Sequence, residues 1–294
     1  MSANEPRFIE PDEERAFLDT IERWVQKDVR PVVMEHDHGD IWPEKLVHQM
    51  AELGLFGATI GREYGGLGLP ATTYVKIIAY ISSYWMAITG IVNSHLIMAA
   101  SVERFGTDEQ KAKWLPSFAT GEIRGGLALT EPNAGTDLQA IRTVARREGD
   151  EYVINGTKTW ISNGIKGSCF ALLVKTDPKA DPRYKGMSLM IAPKGEGFKV
   201  GKKFDKLGYK AIDSAELVFE NYRIPAENLI GGVEGNGFYQ STGGLELGRI
   251  NVAARGVGLA EGALRLATEY AQLRETMGRP IADHQAIQLK LGEM

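Results

Sequence analysis

The chain has 294 residues, 43% apolar and 24% charged, ordinary values for a globular protein of one large domain or two to three smaller ones. Lys and Arg number 34 against 38 Asp and Glu, and a net charge of −4 gives no electrostatic case for nucleic acid as the main ligand. The single cysteine, Cys169, excludes an intrachain disulfide and points to a reducing compartment; inside the apolar run SCFALLV it reads as a buried structural thiol.

The start, MSANEPRFIEPDEER, is acidic and has no apolar core segment of the signal-peptide kind. In EPDEERAFLDTIERWVQKDVRP, apolar Phe17, Ile21, Trp24 and Val25 recur at helical spacing, with acidic residues leading and Pro31 as the stop. WPEKLVHQMAELGL repeats the pattern, with Gly54 as a C-cap, and REYGGLGLP reads as a glycine-rich turn. Helices are predicted from Thr72 to about Ala87 and from Ser94 to Phe105. TDEQKAKWLP is a third, opened by a Thr or Asp cap and closed at Pro116. The apolar region Ala87 to Ala100 is interrupted by Thr89, Gly90, Asn93, Ser94 and His95, and falls short of the roughly 20 apolar residues a membrane span needs. A cytoplasmic location is expected.

From Ile123 the pattern changes to short apolar runs separated by turn signals: GGLALT, DEYVINGTKTWIS, CFALLVKT, MSLMIAP, KVGKKF and AELVFENYRIP. Frequent Val, Ile, Tyr and Phe make this a β domain, sandwich or barrel. After Gly237 helical periodicity returns in GRINVAARGVGLAEGALRLATEYAQLRE, and ADHQAIQLKLGEM begins another helix. The expected fold class is α+β multidomain: an N-terminal helical domain (1–122), a middle β-sandwich/barrel domain (123–232) and part of a C-terminal helical bundle (233–294). Two helices leave apolar stripes uncovered, so the sequence is expected to be a piece of a chain longer by roughly one-third.

Gly256, Gly258 and Gly262 lie within an Ala-rich helical pattern, where small residues allow close helix packing; a dinucleotide loop would need a strand before it. No G-x-x-x-x-G-K-[ST] or G-x-S-x-G occurs, and the five histidines (His36, His38, His48, His95, His284) have no metal-binding spacing. Two stretches stand out. ALTEPNAGTD (128–137) offers the hydroxyls of Thr130 and Thr136 around a Pro-Asn-Ala-Gly turn. NGTKTWISNG (155–164) places Trp160 and Ser162 two apart on a strand, hence on one face. An indole beside a hydroxyl suits a planar heteroaromatic ligand; each stretch alone is an ordinary turn or a surface tryptophan.

Together with LGLFGATIGREYGGLGLP, FGTDEQKAKWLP, KLGYKAIDSAELVFENYRIPAENLIG, GRINVAARGVGLAEGAL and LRETMGRPIADHQAIQLKLGEM, these stretches make nearly the whole chain resemble the acyl-CoA dehydrogenases, FAD enzymes with helical, β and helical-bundle domains. By that resemblance Leu129 (backbone) and Thr130 bond the pyrimidine edge of FAD, Trp160 packs on its ring system and Ser162, often Thr in the family, bonds near N5. Thr136 stands at the join of FAD pyrophosphate and substrate, and Leu127 replaces a common aromatic residue. Arg274, Thr276 and Gln285 are implied to reach the FAD of a neighbouring subunit in a homodimer or homotetramer. Glu246 and Arg249 are implied to contact CoA.

The resemblance implies α,β-dehydrogenation of an acyl-CoA thioester in fatty acid or amino acid catabolism: a carboxylate takes the α-proton, a hydride leaves the β-carbon for FAD, and electrons pass on to an electron-transferring flavoprotein. The usual base is expected beyond residue 294. Where a minority of the family carries it, this chain has Gly248, which leaves the catalytic base unassigned and Glu246 a weak candidate. The stretch IAYISSYWMA lacks the Glu-Glu pair often seen there. Related chemistries on the same fold are flavin monooxygenation, nitroalkane oxidation and acyl-CoA desulfination, and a non-catalytic fragment is a further alternative.

Overall fold

The computed structural model describes residues 7–294. Its first part is helical: α1 (Pro11–Trp24), α2 (Val33–Gly39), α3 (Glu44–Glu52), α4 (Ala71–Ser82), α5 (Met86–Phe105) and α6 (Asp108–Thr120). Pro31 does not end the first helical run. The Arg30 N–H reaches back to Val25 O in a π turn, Pro31 then sits in a 3₁₀ turn where its missing N–H is tolerated, and α2 follows. Gly54 takes φ 72° just past α3, as its capping role requires.

The break predicted between 87 and 94 falls instead at Ser83–Trp85, and 86–105 is one unbroken helix. Gly90 within it answers to packing: a Cβ there would lie 1.5 Å from the Tyr209 hydroxyl. This helix is long and apolar enough to cross a membrane by length and composition, but most of it is buried by the rest of the chain, as in a core helix. In α6, Thr107 and Gln110 form a reciprocal capping box. Pro116 does not stop α6, because Leu115 and Phe118 are fully buried on either side and Gly121, at φ 74°, ends the helix instead.

The middle part is one seven-stranded sheet in the order β1 (Gly125–Ala128), β4 (Cys169–Lys175), β2 (Val144–Glu148), β3 (Glu151–Ser162), β7 (Ser214–Pro225), β6 (Phe198–Lys203), with β5 (Met187–Pro193) also on β4. The β1–β4 pairing is parallel, while β2–β3, β3–β7, β4–β5 and β6–β7 are antiparallel. The sheet curls around its own core. Phe170, Leu172 and Val174 of β4 point inward to Tyr152, Ile154, Leu217 and Phe219, whereas Cys169, Ala171 and Leu173 join the core shared with the helices. Burial on both faces explains why CFALLV is an unbroken apolar run.

The last part is the 37-residue α7 (Gly237–Leu273), a two-residue hairpin of β8 (Glu275–Thr276) and β9 (Arg279–Pro280), and α8 (Gln285–Glu293). The small-residue stripe works as expected: Cβ atoms at Gly258 and Gly262 would lie 2.1 Å from Ala79 O and 2.3 Å from Ser83 O, so α7 crosses α4 at backbone contact. Gly256 faces open space and takes no part.

Candidate functional site

ALTEPNAGTD begins as the end of β1 and turns sharply. Glu131 and Ala134 exchange both backbone hydrogen bonds, 2.9 and 3.0 Å, around Pro132–Asn133. The Glu131 side chain folds back into the protein, accepting from Arg142 N at 2.6 Å and Thr143 N at 3.0 Å. KTWISNG lies alongside, at the end of β3. Thr159 N donates to Thr130 O at 2.8 Å, so the two stretches form one wall.

Trp160 sits on a bulge. Between the β3–β7 pairs Lys158–Leu217 and Ile161–Ala215, β3 carries one extra residue, and Trp160 adopts φ 59°. A left-handed conformation is costly for a bulky residue and needs neighbours to hold it. Its indole is 55% exposed, an unusual state for this residue type, and stacks on Phe204 with ring centroids 4.1 Å apart and planes 20° from parallel. Ser162, two residues on, is half-buried, as are Leu127 and Thr130. The bulge modifies the simple alternation read from sequence, yet Trp160 and Ser162 both remain on the more accessible side.

Two residues that pattern reading passed over hold this wall. Lys158 is fully buried, with Nζ 2.8 Å from Glu131 Oε1 and 2.9 Å from Leu129 O. Burial pulls its ammonium down to about 8. Burial alone would raise the Glu131 carboxyl, but the Lys158 charge beside it and its hydrogen bonds hold it below the usual carboxylate range. Asn163, at φ 60° and buried, donates from Nδ2 to Ile91 O at 3.0 Å and Gly125 O at 2.8 Å, pinning the end of β3 to α5 and β1. A lysine two residues before Trp160, in a strand whose other side chains carry no charge from Tyr152 to Ser162, was the available signal for the first.

The remaining residues lie elsewhere. Thr136 is exposed beyond the turn. Arg274 and Thr276, on the hairpin, and Gln285, at the start of α8, are exposed; this region packs chiefly on α7 and is not brought to Trp160. Glu246 and Arg249 are exposed on α7. Glu246 lines a cleft of about 760 Å³ between α5, α7 and the Arg62–Tyr64 turn, where Arg104 NH1 donates to it at 2.6 Å. That bond holds its carboxyl below the usual range, the wrong direction for a general base. On the buried face of α7, Gly244, Gly248, Asn251, Ala254, Arg255 and Gly258 include no carboxylate. Asn251 Nδ2 donates to the Tyr74 hydroxyl at 2.7 Å and Arg255 NH1 to the Tyr209 hydroxyl at 2.6 Å, filling the space between α4, α5 and α7 with polar groups. Among the described residues, no group of three or more His, Cys, Asp or Glu side chains is placed to hold a metal ion.

The wall therefore offers an exposed indole, two half-buried hydroxyls and rigid backbone, a donor set that fits a flat, polar-edged ring system such as a flavin. Helical, curled-sheet and helical parts in this order make a three-part architecture with a candidate cofactor surface on its sheet. Residues 11–122, 126–222 and 235–294 match the N-terminal, middle and C-terminal domain models of acyl-CoA dehydrogenase, and the chain belongs to that family of flavoprotein oxidoreductases. It is 38% identical to an acryloyl-CoA reductase (NADH) of Anaerotignum propionicum, covering 92% of this chain and 69% of that one. It is 37% identical to a short-chain-specific acyl-CoA dehydrogenase of Clostridium acetobutylicum, covering 96% and 74%. Butyryl-CoA dehydrogenase from Megasphaera elsdenii superposes with a TM-score of 0.92 at 34% identity, over 97% of this chain and 76% of that one. A chain from a structure described as the electron transferring flavoprotein of Acidaminococcus fermentans superposes at 0.92 and 37% identity, over 100% and 76%.

Proposed function

We propose that the chain binds FAD against the Thr130–Trp160–Ser162 wall and serves the α,β-dehydrogenation of a short acyl-CoA thioester, with electrons leaving to an electron-transferring flavoprotein. The observation that carries this reading is the Thr159–Thr130 backbone bond, which joins two motifs far apart in sequence into one surface bearing a strained, exposed indole. In this reading the divisions 1–122, 123–232 and 233–294 are the working domains.

Leu129 and Thr130 would meet the pyrimidine edge. The Leu129 carbonyl already accepts from Lys158, so it is held rigid. Trp160 would cover the ring system and exclude water, Ser162 would donate near its reactive centre, and Thr136 would stand toward the phosphates. Arg274, Thr276 and Gln285, remote from the wall, would serve the cofactor of a neighbouring subunit in a homodimer or homotetramer. Glu246 and Arg249 would bind CoA, Glu246 through the cleft it shares with Arg104. When bound, FAD supplies the hydride acceptor; the protein contributes position, dryness and polarity. The enolate developing at the thioester needs donors aimed at its oxygen, and a carboxylate in a dry site is tuned upward toward operating pH.

A short acyl group is favoured because Tyr74, Asn251, Arg255 and Tyr209 occupy the space between α4, α5 and α7. The names of the short-chain and butyryl-CoA relatives point the same way. The test is anaerobic titration of the FAD-loaded full-length protein, which would include the segment expected to carry the base, with thioesters of increasing chain length, followed by bleaching of the long-wavelength flavin band. Bleaching by short thioesters first is expected; no bleaching by any thioester would overturn the reading. Resemblance to an acryloyl-CoA reductase favours one second reading, the reverse reaction, which reoxidation of chemically reduced protein by a 2-enoyl-CoA would reveal.

A further inference from the structure

We propose that the buried Glu131–Lys158 pair is a positioning device for the cofactor: it sets the shape of the wall before any ligand arrives. The inference rests on the flavin reading above. Three consecutive residues of the first motif are tied to two consecutive residues of the second. Leu129 O takes Lys158 Nζ, Thr130 O takes Thr159 N, and the Glu131 carboxylate takes Lys158 Nζ. Glu131 is in turn locked by Arg142 N and Thr143 N, the two residues that lead into β2. The pair thus links β1, β2 and β3 directly beneath the position where β3 bulges and Trp160 enters its left-handed conformation.

Stability alone does not account for such a pair. Taking an ammonium and a carboxylate out of water roughly cancels their mutual attraction, and apolar side chains of the same size would hold a sheet equally well. A pair of this kind contributes geometry. Its charge-assisted bonds are short and directional, and they fix the offset between the two motifs to within a few tenths of an ångström. Lys158 has no exposed surface and touches no ligand position, so it acts through Leu129, Thr130 and Trp160.

The experiment compares the parent chain, Lys158→Met, and the double variant Glu131→Gln with Lys158→Met, in two measurements: the melting midpoint of cofactor-free protein and the FAD dissociation constant by fluorescence titration. Lys158→Met strands a carboxylate in the interior, and both measurements are expected to worsen. The double variant removes both charges, and its melting midpoint is expected to return close to that of the parent. Its FAD dissociation constant is expected to stay about tenfold or more weaker, because the wall is no longer pre-set. Trp160 emission in the cofactor-free double variant, taken as the difference from its Trp160→Phe counterpart, is expected to differ from the parent's. A double variant that regains both stability and FAD affinity would overturn the proposal, as would one that does not fold, since the pair would then be structural. A parent chain that binds no FAD would instead refute the flavin reading itself, and the inference with it.

Discussion

Asn163 gives the sharpest test of how the wall is held. It is buried, its backbone is at φ 60°, and its Nδ2 makes the two bonds to Ile91 O and Gly125 O that hold the end of β3 on α5 and β1. Asn163→Gly keeps the left-handed backbone at ease and removes both bonds, at a cost of about 1 kcal/mol each and so about 2 kcal/mol in all. Its own Oδ1 is buried without a partner, which trims that figure slightly. Asn163→Ala removes the same bonds and also forces a Cβ into the left-handed region, adding about 1–2 kcal/mol. Alanine recovers about 0.4–1 kcal/mol through its less flexible unfolded state. The expected order is therefore parent, then Gly, then Ala, with Ala lower than Gly by roughly 0.5–1 kcal/mol. Urea unfolding followed by far-ultraviolet circular dichroism, under identical conditions for the three chains, reads this directly. An Ala variant as stable as the Gly variant would refute the conformational argument; a Gly variant as stable as the parent would refute the role of the two bonds.

Gly258→Val, whose Cβ would lie 2.1 Å from Ala79 O, is expected to push α7 off α4 and cost about 3 kcal/mol or more, whereas Gly256→Ala, in open space, should be neutral or stabilising by up to about 1 kcal/mol. Paired thermal melts of the two variants check this. Burial depresses the His95 imidazole from 6.5 to about 4 while its Nε2–H donates to Phe118 O. Its contribution is therefore fully present above pH 6.5 and lost as pH falls toward 4, by about 3 kcal/mol. Replacing His95 with Gln should flatten stability against pH in that window alone. Cys169 has no exposed surface and burial raises its thiol to about 12, so a disulfide reagent should titrate no thiol until the protein unfolds.

Much of this fold is legible where one local signal dominates. The Thr107 cap, the Gly54 cap, the buried thiol of Cys169 in its apolar strand and the helix-contact glycines 258 and 262 each read the same in sequence and structure. Sequence reading fails where packing overrides local preference. Pro116 is carried inside α6 by its buried neighbours, and Gly90 weakens a helical pattern but is required by Tyr209. At the wall, residue types mark Trp160, Ser162 and Thr130, but the bulge beneath them does not show in the pattern. A bulge is a mismatch between two strands, and its partner β7 lies more than 50 residues away. The Glu131–Lys158 and Asn163 links are equally non-local: each joins residues that spacing alone cannot associate.

The central claim is that this wall holds FAD. Equilibrium titration of the chain with FAD, repeated for Trp160→Ala, measures it most directly. Trp160 is more than half exposed, so its removal should cost the cofactor-free protein little beyond the stacking on Phe204, about 0.5–1.5 kcal/mol. Saturable binding by the parent is expected, weakened about tenfold or more by Trp160→Ala, as the loss of a stacking surface worth about 1–3 kcal/mol requires. Equal FAD affinity in the two proteins, or none in the parent, would contradict the account.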